Sequence, residues 1–343
     1  MKAVILNETG GPEKLTLAEV PAPQPKANEV IVRLKYAALN HADVWMRSGN
    51  AAYPLIPGQI PGCDGAGIVE SVGADAEGVS PGDPVLILPA LSCGVCARCK
   101  RGQDNQCDKF EIFGTKRPGT YAEFTAVPDT NVIPVPENFS LDKAAAFPLA
   151  YLTVWHMLFG RAQLTKGENV YVVGGGSGVG AAAIQLAKWK GARVFASTTD
   201  ADKAARIKLL GAEVVVASAN QDAAAWVMEK TSGQGADVVV EHVGPATWEA
   251  SVKALGKYGR LVTCGATTGP TVNLDLRGLF SRDASISGSR MGTGKEFQDL
   301  SRVMFSGAIA PAVDTVFPLE KAADAHRRFD ERKHAGKILL QIS

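Results

Sequence analysis

A chain of 343 residues, 46% hydrophobic and 21% charged, has the composition of a globular protein and the length for two domains of ordinary size. A formal net charge of +1 without a long basic run offers no footprint for nucleic acid, and no apolar run reaches the ~18 residues that suggest a membrane span. The opening MKAVILNETGG turns polar after six residues, too soon for a signal-peptide core, so the expected location is the cytoplasm. In that compartment the six cysteines are thiols or metal ligands rather than disulfides.

The N-terminal part reads as β-rich. EVIVRLKYAALN is a strand running into a turn, CDGAGIVESVG and GDPVLIL are short β-branched segments, and GTYAEFTAVPDTNVIPVP is a further pair of strands. Short, closely spaced strands of this kind predict a small barrel or sandwich. Near residue 140 the texture changes. SLDKAAAFPLAYLTVWHMLF starts with an N-cap candidate, Ser140, and carries apolar residues at helical spacing. Strands and helices then alternate through NVYVVGGGSGVGAAAIQLAKWKGA, RVFASTTDADKAARIKLLGA, AEVVVAS, ADVVVEHVG and GRLVTCGATTG. Near-continuous valine runs between helices predict a parallel, doubly wound sheet. From about Ser285 the chain returns to mixed elements and ends in the strand-like GKILLQIS.

The strand NVYVV runs into Gly174-Gly175-Gly176-Ser177-Gly178-Val179-Gly180 and an alanine-rich helix. Glycines let the backbone turn sharply and approach a pyrophosphate, which the free N–H groups of the helix N-terminus then stabilise. The pattern departs from G-x-G-x-x-G by carrying Ser177 at the middle glycine, but the strand–turn–helix context that the motif requires is present. Gly175, Ser177, Gly178, Val179 and Gly180 are therefore assigned to dinucleotide binding, against the alternative of a tight turn without a ligand. The next strand selects the dinucleotide. An NAD site ends it with an acid about 20 residues past the glycines, and Thr198 stands there instead. Thr198 and Thr199, with Lys203 and Arg206 downstream, favour a 2′-phosphate and hence NADPH, whereas a turn shifted by two residues gives Asp200 the NAD role.

LSCGVCARCKRGQDNQC places Cys93, Cys96, Cys99 and Cys107 within one loop. Four thiolates fill a tetrahedral zinc shell and leave no position for water or substrate, which makes the predicted site structural. Arg98, Lys100, Arg101 and Lys109 are placed to offset its negative charge. A redox pair is the competing reading, but it expects C-x-x-C at a helix start after a strand.

Several segments resemble the medium-chain dehydrogenase/reductase superfamily nearly end to end: GGPEKLTLAEVPAPQPKANEVIVRLKYAALNHADVWMRSG, PGCDGAGIVESVG, SGVGAAAIQLAKWKGARV, KLLGAEVVV and GRLVTCGATTG. The resemblance implies a GroES-like catalytic domain over 1–148 and 286–343 and a Rossmann domain over 149–285. It also implies a homodimer or tetramer acting on a small molecule. The four-cysteine spacing is similar to the structural-zinc lobe of zinc alcohol dehydrogenases. The catalytic-zinc positions of those enzymes fall here on Asn40, Cys63 and roughly Leu149, with Asp64 as the acidic neighbour and Ala42 in place of the proton-relay hydroxyl. Three protein ligands and one open site are not available from that set unless His41 swings in.

NHADVWMRSG instead resembles the active-site turn of quinone oxidoreductases. That likeness implies that Asn40 donates to the substrate oxygen, Asp43 holds the turn and Trp45 walls the pocket. Their plainer alternatives are a turn cap for Asn40, an Asx turn or a pair with Arg47 for Asp43, and core packing for Trp45. Thr153, Gly265, Ala266, Ser289 and Arg290 fall in segments that resemble cofactor-lining ones. His242 stands where relatives line the nicotinamide pocket, or is a polar strand end. Lys337 resembles a basic residue that reaches the cofactor phosphates. His326 and His334 read as solvated, His156 as core, and Cys63 and Cys264 as small buried hydrophobes. The implied activity is NAD(P)H-dependent hydride transfer to a quinone or α,β-unsaturated carbonyl without a catalytic metal. The alternatives are a zinc-type alcohol dehydrogenase or aldehyde reductase with unusual ligands, and an NADPH-binding protein of low activity.

Overall fold

The computed structural model describes residues 1–217 and 222–342. It divides into two compact units, Met1–Leu149 with Thr293–Ser343, and Ala150–Gly292. Among the described residues, no helix is long and apolar enough to cross a membrane.

The first unit is built on a seven-stranded sheet. Its order runs Val313–Pro318, Lys337–Gln341, Glu29–Ala38, Asp64–Val72, Pro84–Ile87 and Val132–Pro134, with Phe124–Pro128 also paired to Glu29–Ala38. Glu29–Ala38 is the hub, because ten residues of strand let it pair antiparallel with three partners. Val30, Val32 and Leu34 point to one side and pack with Val69, Val85, Ile87, Phe113 and Val127. The other core gathers Leu6, Leu39, Met46, Tyr121, Ala325, Ile338 and Leu340. The C-terminal segment thus supplies two strands, Val313–Pro318 and Lys337–Gln341, and the helix Ala322–Asp330 to the N-terminal unit.

The second unit is a six-stranded parallel sheet ordered Glu213–Val216, Arg193–Thr198, Asn169–Val172, Ala236–Glu241, Leu255–Thr263 and Ser285–Gly288. Numbered from Asn169–Val172, this is the 3-2-1-4-5-6 order of the dinucleotide-binding fold. The valine runs are buried on both faces, as Val170, Val172, Val238, Val239, Val240 and Val262 are each fully covered. The expected strand AEVVVAS is Glu213–Val216, and its Ser218 lies outside the described residues.

Two expectations shift. The helix read over 140–159 is interrupted, giving Leu141–Ala146, then Pro148–Trp155, then a π-helical turn His156–Arg161. Pro148 has no N–H to continue the first helix and instead begins the second. The return to the first unit comes at Thr293 rather than 286, because Ser285–Gly288 is the sixth strand of the parallel sheet.

Candidate functional site

The four-cysteine loop closes as a cluster. The Sγ atoms lie within 4.8 Å of one another, with separations of 3.4 Å for Cys93–Cys107, 3.5 Å for Cys96–Cys99, 3.9 Å for Cys96–Cys107 and 4.0 Å for Cys93–Cys99. Four thiolates about 2.3 Å from a tetrahedral zinc stand roughly 3.8 Å apart, so donor type and spacing both fit that ion. Backbone N–H groups of Cys93 and Lys109 donate to Cys107 Sγ, each at 3.3 Å. Arg98 pairs with Asp108 at 3.4 Å, so part of the nearby positive charge is already engaged. The loop is anchored by Asp104, whose carboxylate accepts the Gly294 N–H at 2.8 Å, at the start of the helix Gly294–Phe305. Among the described residues, no other group of three or more Cys, His, Asp or Glu brings its donor atoms close enough to share an ion.

The turn after Glu29–Ala38 holds a second, buried polar cluster. Asp43, 0% exposed, lies in the first turn of the helix His41–Arg47. Its carboxylate accepts the backbone N–H of Asn40 at 2.8 Å, the N–H of Gly62 at 3.1 Å and the Tyr121 hydroxyl at 3.2 Å, with the Cys63 thiol at 3.5 Å. Burial outweighs these donors and raises its pKa from 3.8 to about 6. Asp43 therefore holds the turn, and Arg47 is not its partner. Arg47 instead donates to Asp330 at 2.6 Å, to the Gly10 carbonyl at 2.8 Å and to His326 Nδ1 at 3.3 Å.

Asn40 is 5% exposed. Its Nδ2 donates to Asp64 Oδ2 at 2.9 Å and, more loosely, to the Ala38 carbonyl at 3.3 Å, while its Oδ1 accepts Lys337 Nζ at 2.6 Å. The expected amide donor to a substrate is thus engaged with the protein. The Lys337 ammonium also donates to the Leu39 carbonyl at 2.8 Å and to Asp64 Oδ2 at 3.1 Å. This corrects the assignment of Lys337 to the cofactor phosphates: the side chain is 3% exposed and its three hydrogens are all used inside the first unit. Asp64 Oδ1 accepts the Leu149 N–H at 2.9 Å, so Asp64 links two positions that the family resemblance reads as zinc ligands. The third, Cys63, is a fully buried thiol whose pKa burial pushes well above 9.0. Trp45 is half-buried, with its ring 5.6 Å from His41 and 5.3 Å from Tyr53.

Two histidines read as solvated are buried, His326 at 0% and His334 at 6%. Charged residues cover one face of Ala322–Asp330, and its other face buries Ala322, Ala325 and His326. His326 Nδ1 accepts from Arg47 and its Nε2 lies 3.3 Å from the Tyr121 hydroxyl. Burial, helped by the Arg47 charge, lowers its pKa to about 3. His334 stacks on Phe329 at 4.6 Å. Sequence reading missed Tyr121 and His326 as members of this cluster. They lie 78 and 283 residues from Asp43 in the chain, and no local pattern joins them.

In the second unit the glycine turn, Thr198, Thr199, His242, Gly265, Ala266, Ser289 and Arg290 lie at or just past the carboxyl ends of the strands, where open α/β sheets bind ligands, whereas Thr153 and Lys203 stand in the helices Pro148–Trp155 and Ala201–Leu209. Ser177 caps the helix Gly178–Trp189 by accepting the Gly180 N–H at 2.8 Å. Gly178 and Val179 open that helix, where N–H groups have no intrahelical acceptor and face an incoming anion. Gly175 N–H bonds to the Ser197 carbonyl at 2.9 Å, and a Cβ on Gly180 would lie 2.3 Å from the Gly174 carbonyl. His242 lies against this turn, its Nε2 at 2.8 Å from the Val173 carbonyl and 3.3 Å from Ser177 Oγ. Burial lowers its pKa and favours the neutral ring.

Thr198, at the end of its strand, accepts the Asp200 N–H at 3.1 Å, and Thr199 beside it is exposed. Asp200 caps the next helix by accepting the Asp202 N–H at 2.9 Å and faces Lys203 at 3.9 Å. Thr153 Oγ1 lies 3.6 Å from Met291 Sδ. Gly265 and the exposed Ala266 follow Thr263, and the exposed Arg290 follows Ser289. Ser289 Oγ is buried without a hydrogen-bond partner among the described residues, the kind of orphaned hydroxyl that a ligand hydroxyl or amide satisfies. The turn and this orphan both fit a dinucleotide. Cys264 is only partly buried, contrary to expectation, and desolvation raises its thiol pKa to about 12.

Comparison with known proteins agrees with this geometry. Residues 26–137 match the alcohol dehydrogenase GroES-like domain, and residues 178–306 match the zinc-binding dehydrogenase family. A zinc-type alcohol dehydrogenase-like protein of Schizosaccharomyces pombe is 31% identical, over 100% of this chain and 99% of its own length. An acryloyl-coenzyme A reductase of Metallosphaera sedula is 30% identical over 99% of each chain. A solved structure of an NAD-dependent alcohol dehydrogenase superposes with a TM-score of 0.94 at 44% identity, covering 100% of both chains. The chain belongs to the medium-chain dehydrogenase/reductase superfamily and is an NAD(P)-dependent oxidoreductase.

Proposed function

We propose that the chain is an NADPH-dependent reductase of quinones or α,β-unsaturated carbonyls that uses no catalytic metal and carries a structural zinc on Cys93, Cys96, Cys99 and Cys107. The observation that carries this reading is the Asn40–Asp64–Lys337 clamp. Where the resemblance places zinc ligands, this chain has an amide, a buried thiol and a leucine, and the adjacent carboxylate is paired with an ammonium. An unactivated alcohol without a Lewis acid lacks a stabiliser for its alkoxide. A conjugated carbonyl is easier, because charge develops on a remote oxygen that hydrogen bonds can hold. Reduced nicotinamide, when bound, supplies hydride from its C4. With either acceptor, the group that this chain would have to stabilise is the substrate oxygen on which negative charge would gather before a proton from water neutralises it. Asn40 serves that oxygen with the N–H now resting on Ala38, its weaker contact. Asp43 fixes the turn and Trp45 walls the substrate.

On the cofactor side, Gly175 to Gly180 hold the pyrophosphate, Thr198, Thr199 and Lys203 the 2′-phosphate, and Thr153, His242, Gly265, Ala266, Ser289 and Arg290 line the remainder. The lack of a carboxylate at the end of Arg193–Thr198 supports NADPH, since the nearest acid, Asp200, is engaged as a helix cap. The reading includes a cytoplasmic homodimer or tetramer, checked by sedimentation velocity. Metal content, NADPH and NADH affinity, and turnover of cyclohexenone and benzoquinone test the whole. One zinc per chain, tighter NADPH binding and cofactor oxidation by either acceptor are expected. Two zincs with ethanol or aldehyde turnover establish instead the zinc-type alcohol dehydrogenase, which the name of the 44%-identical structure favours. Tight NADPH binding without oxidation across a broad panel points to a binding protein.

A further inference from the structure

Lys337 sits in the interior of the first unit with three acceptors for its three hydrogens: Asn40 Oδ1, the Leu39 carbonyl and Asp64 Oδ2. Asp64 is 0% exposed and both its oxygens are used, Oδ2 by Lys337 and Asn40, Oδ1 by the Leu149 N–H. These neighbours settle the orientation of the Asn40 amide, since only its oxygen can face an ammonium and only its NH2 a carboxylate. A buried ion pair contributes little net stability compared with apolar packing, but it does orient what it touches. An ammonium bonded to an amide oxygen draws electron density toward that oxygen and leaves the NH2 more positive, which strengthens its hydrogens as donors. One of those hydrogens is fixed on Asp64 at 2.9 Å, and the other holds the Ala38 carbonyl only at 3.3 Å.

We infer that Lys337 is a positioning residue that polarises the Asn40 amide, so that its positive charge reaches the substrate oxygen through the loosely held Asn40 N–H, with Asp64 as counter-ion. Lys337 has no hydrogen left for the substrate and acts only through Asn40. The inference rests on the preceding reading of Asn40 as the donor to the substrate oxygen.

The test compares wild type, K337M, K337R, N40A, N40A/K337M and the charge-neutral K337M/D64N, which leaves no unpaired carboxylate behind if K337M fails to fold. Turnover of cyclohexenone and benzoquinone with NADPH gives kcat and KM separately, fluorescence titration gives the NADPH Kd, and nitrogen-15 asparagine labelling reports the Asn40 side-chain amide, identified by its loss in N40A. Removing a full oxyanion donor costs about 10²–10³ in kcat, so weakening one should cost about 10- to 100-fold. That loss is expected in K337M and K337M/D64N, mainly in kcat, with NADPH Kd unchanged and the Asn40 amide protons moved upfield. K337R should recover part of it, and K337M should cost little in the N40A background. Equal losses in the wild-type and N40A backgrounds, an unmoved amide signal, or a loss confined to NADPH affinity overturns the inference. A wild-type chain that reduces neither acceptor, yet whose Asn40 amide still responds to Lys337, overturns the functional reading and supports the polarisation.

Discussion

Replacing His326 with glutamine should remove much of the acid sensitivity of the first unit. The imidazole is 0% exposed, lies between the Arg47 guanidinium and the Tyr121 hydroxyl, and is lowered to about 3 from 6.5. In the unfolded chain it regains its ordinary value, so between these limits the unfolded state binds the extra proton. The stabilisation is full above about pH 6.5 and is lost as pH falls toward about 3. From pH 7 to pH 5, one site shifted this far costs about 2 kcal/mol. Glutamine can accept from Arg47 and donate to Tyr121, so H326Q keeps both contacts and removes the titration. Urea unfolding of the zinc-loaded protein at both pH values measures the difference: wild type should lose about 2 kcal/mol more than H326Q. Proton NMR adds a direct check, because the His326 ring signal should not titrate between pH 5 and pH 8. Parallel pH dependence of the two proteins, or a His326 midpoint near 6.5, would refute the reasoning.

Asp43 acts with the opposite sign. Its pKa is raised from 3.8 to about 6, so its contribution is present below about pH 4 and is lost as pH rises through about 6. Acidification from pH 7 to pH 5 thus returns about 1 kcal/mol in the wild type, and D43N should lose stability more steeply over the same range. D43N should also be about 2 kcal/mol less stable at pH 7, since whichever carboxylate oxygen becomes an NH2 then faces a backbone N–H, that of Gly62 or that of Asn40. G180A should lower stability by about 2 kcal/mol and weaken dinucleotide binding, because the new Cβ meets the Gly174 carbonyl; unchanged cofactor affinity by calorimetry would contradict the assignment of this turn. C107S should lower zinc content from one ion per chain toward zero by atomic absorption, and unchanged content would place the ion elsewhere.

Much of the architecture was legible because its causes are local. Buried valine runs between helices imply a parallel sheet, the glycine turn follows directly from its strand, and the four cysteines lie within fifteen residues of sequence. The helix over 140–159 was misjudged although Pro148 was in view, since apolar periodicity runs through a break that only the missing N–H creates. Cys264 was read as buried because thiols usually are, yet it stands just past a strand end and is only partly covered.

The polar interior of the first unit is of another kind. Lys337 meets Asn40 across 297 residues, Arg47 meets His326 across 279, and His326 meets Tyr121 across 205. A heptad of charged residues around His326 looks solvated until the fold shows that its apolar face, histidine included, packs inward. Local sequence determined which segments form strands, where the glycine turn leads into its helix and which thiols cluster, since each depends on neighbours a few residues apart. Only the tertiary structure decided which charges are buried and what they touch. Desolvation and pairing belong to groups that the fold brings together from distant parts of the chain, and spacing along the chain does not record them.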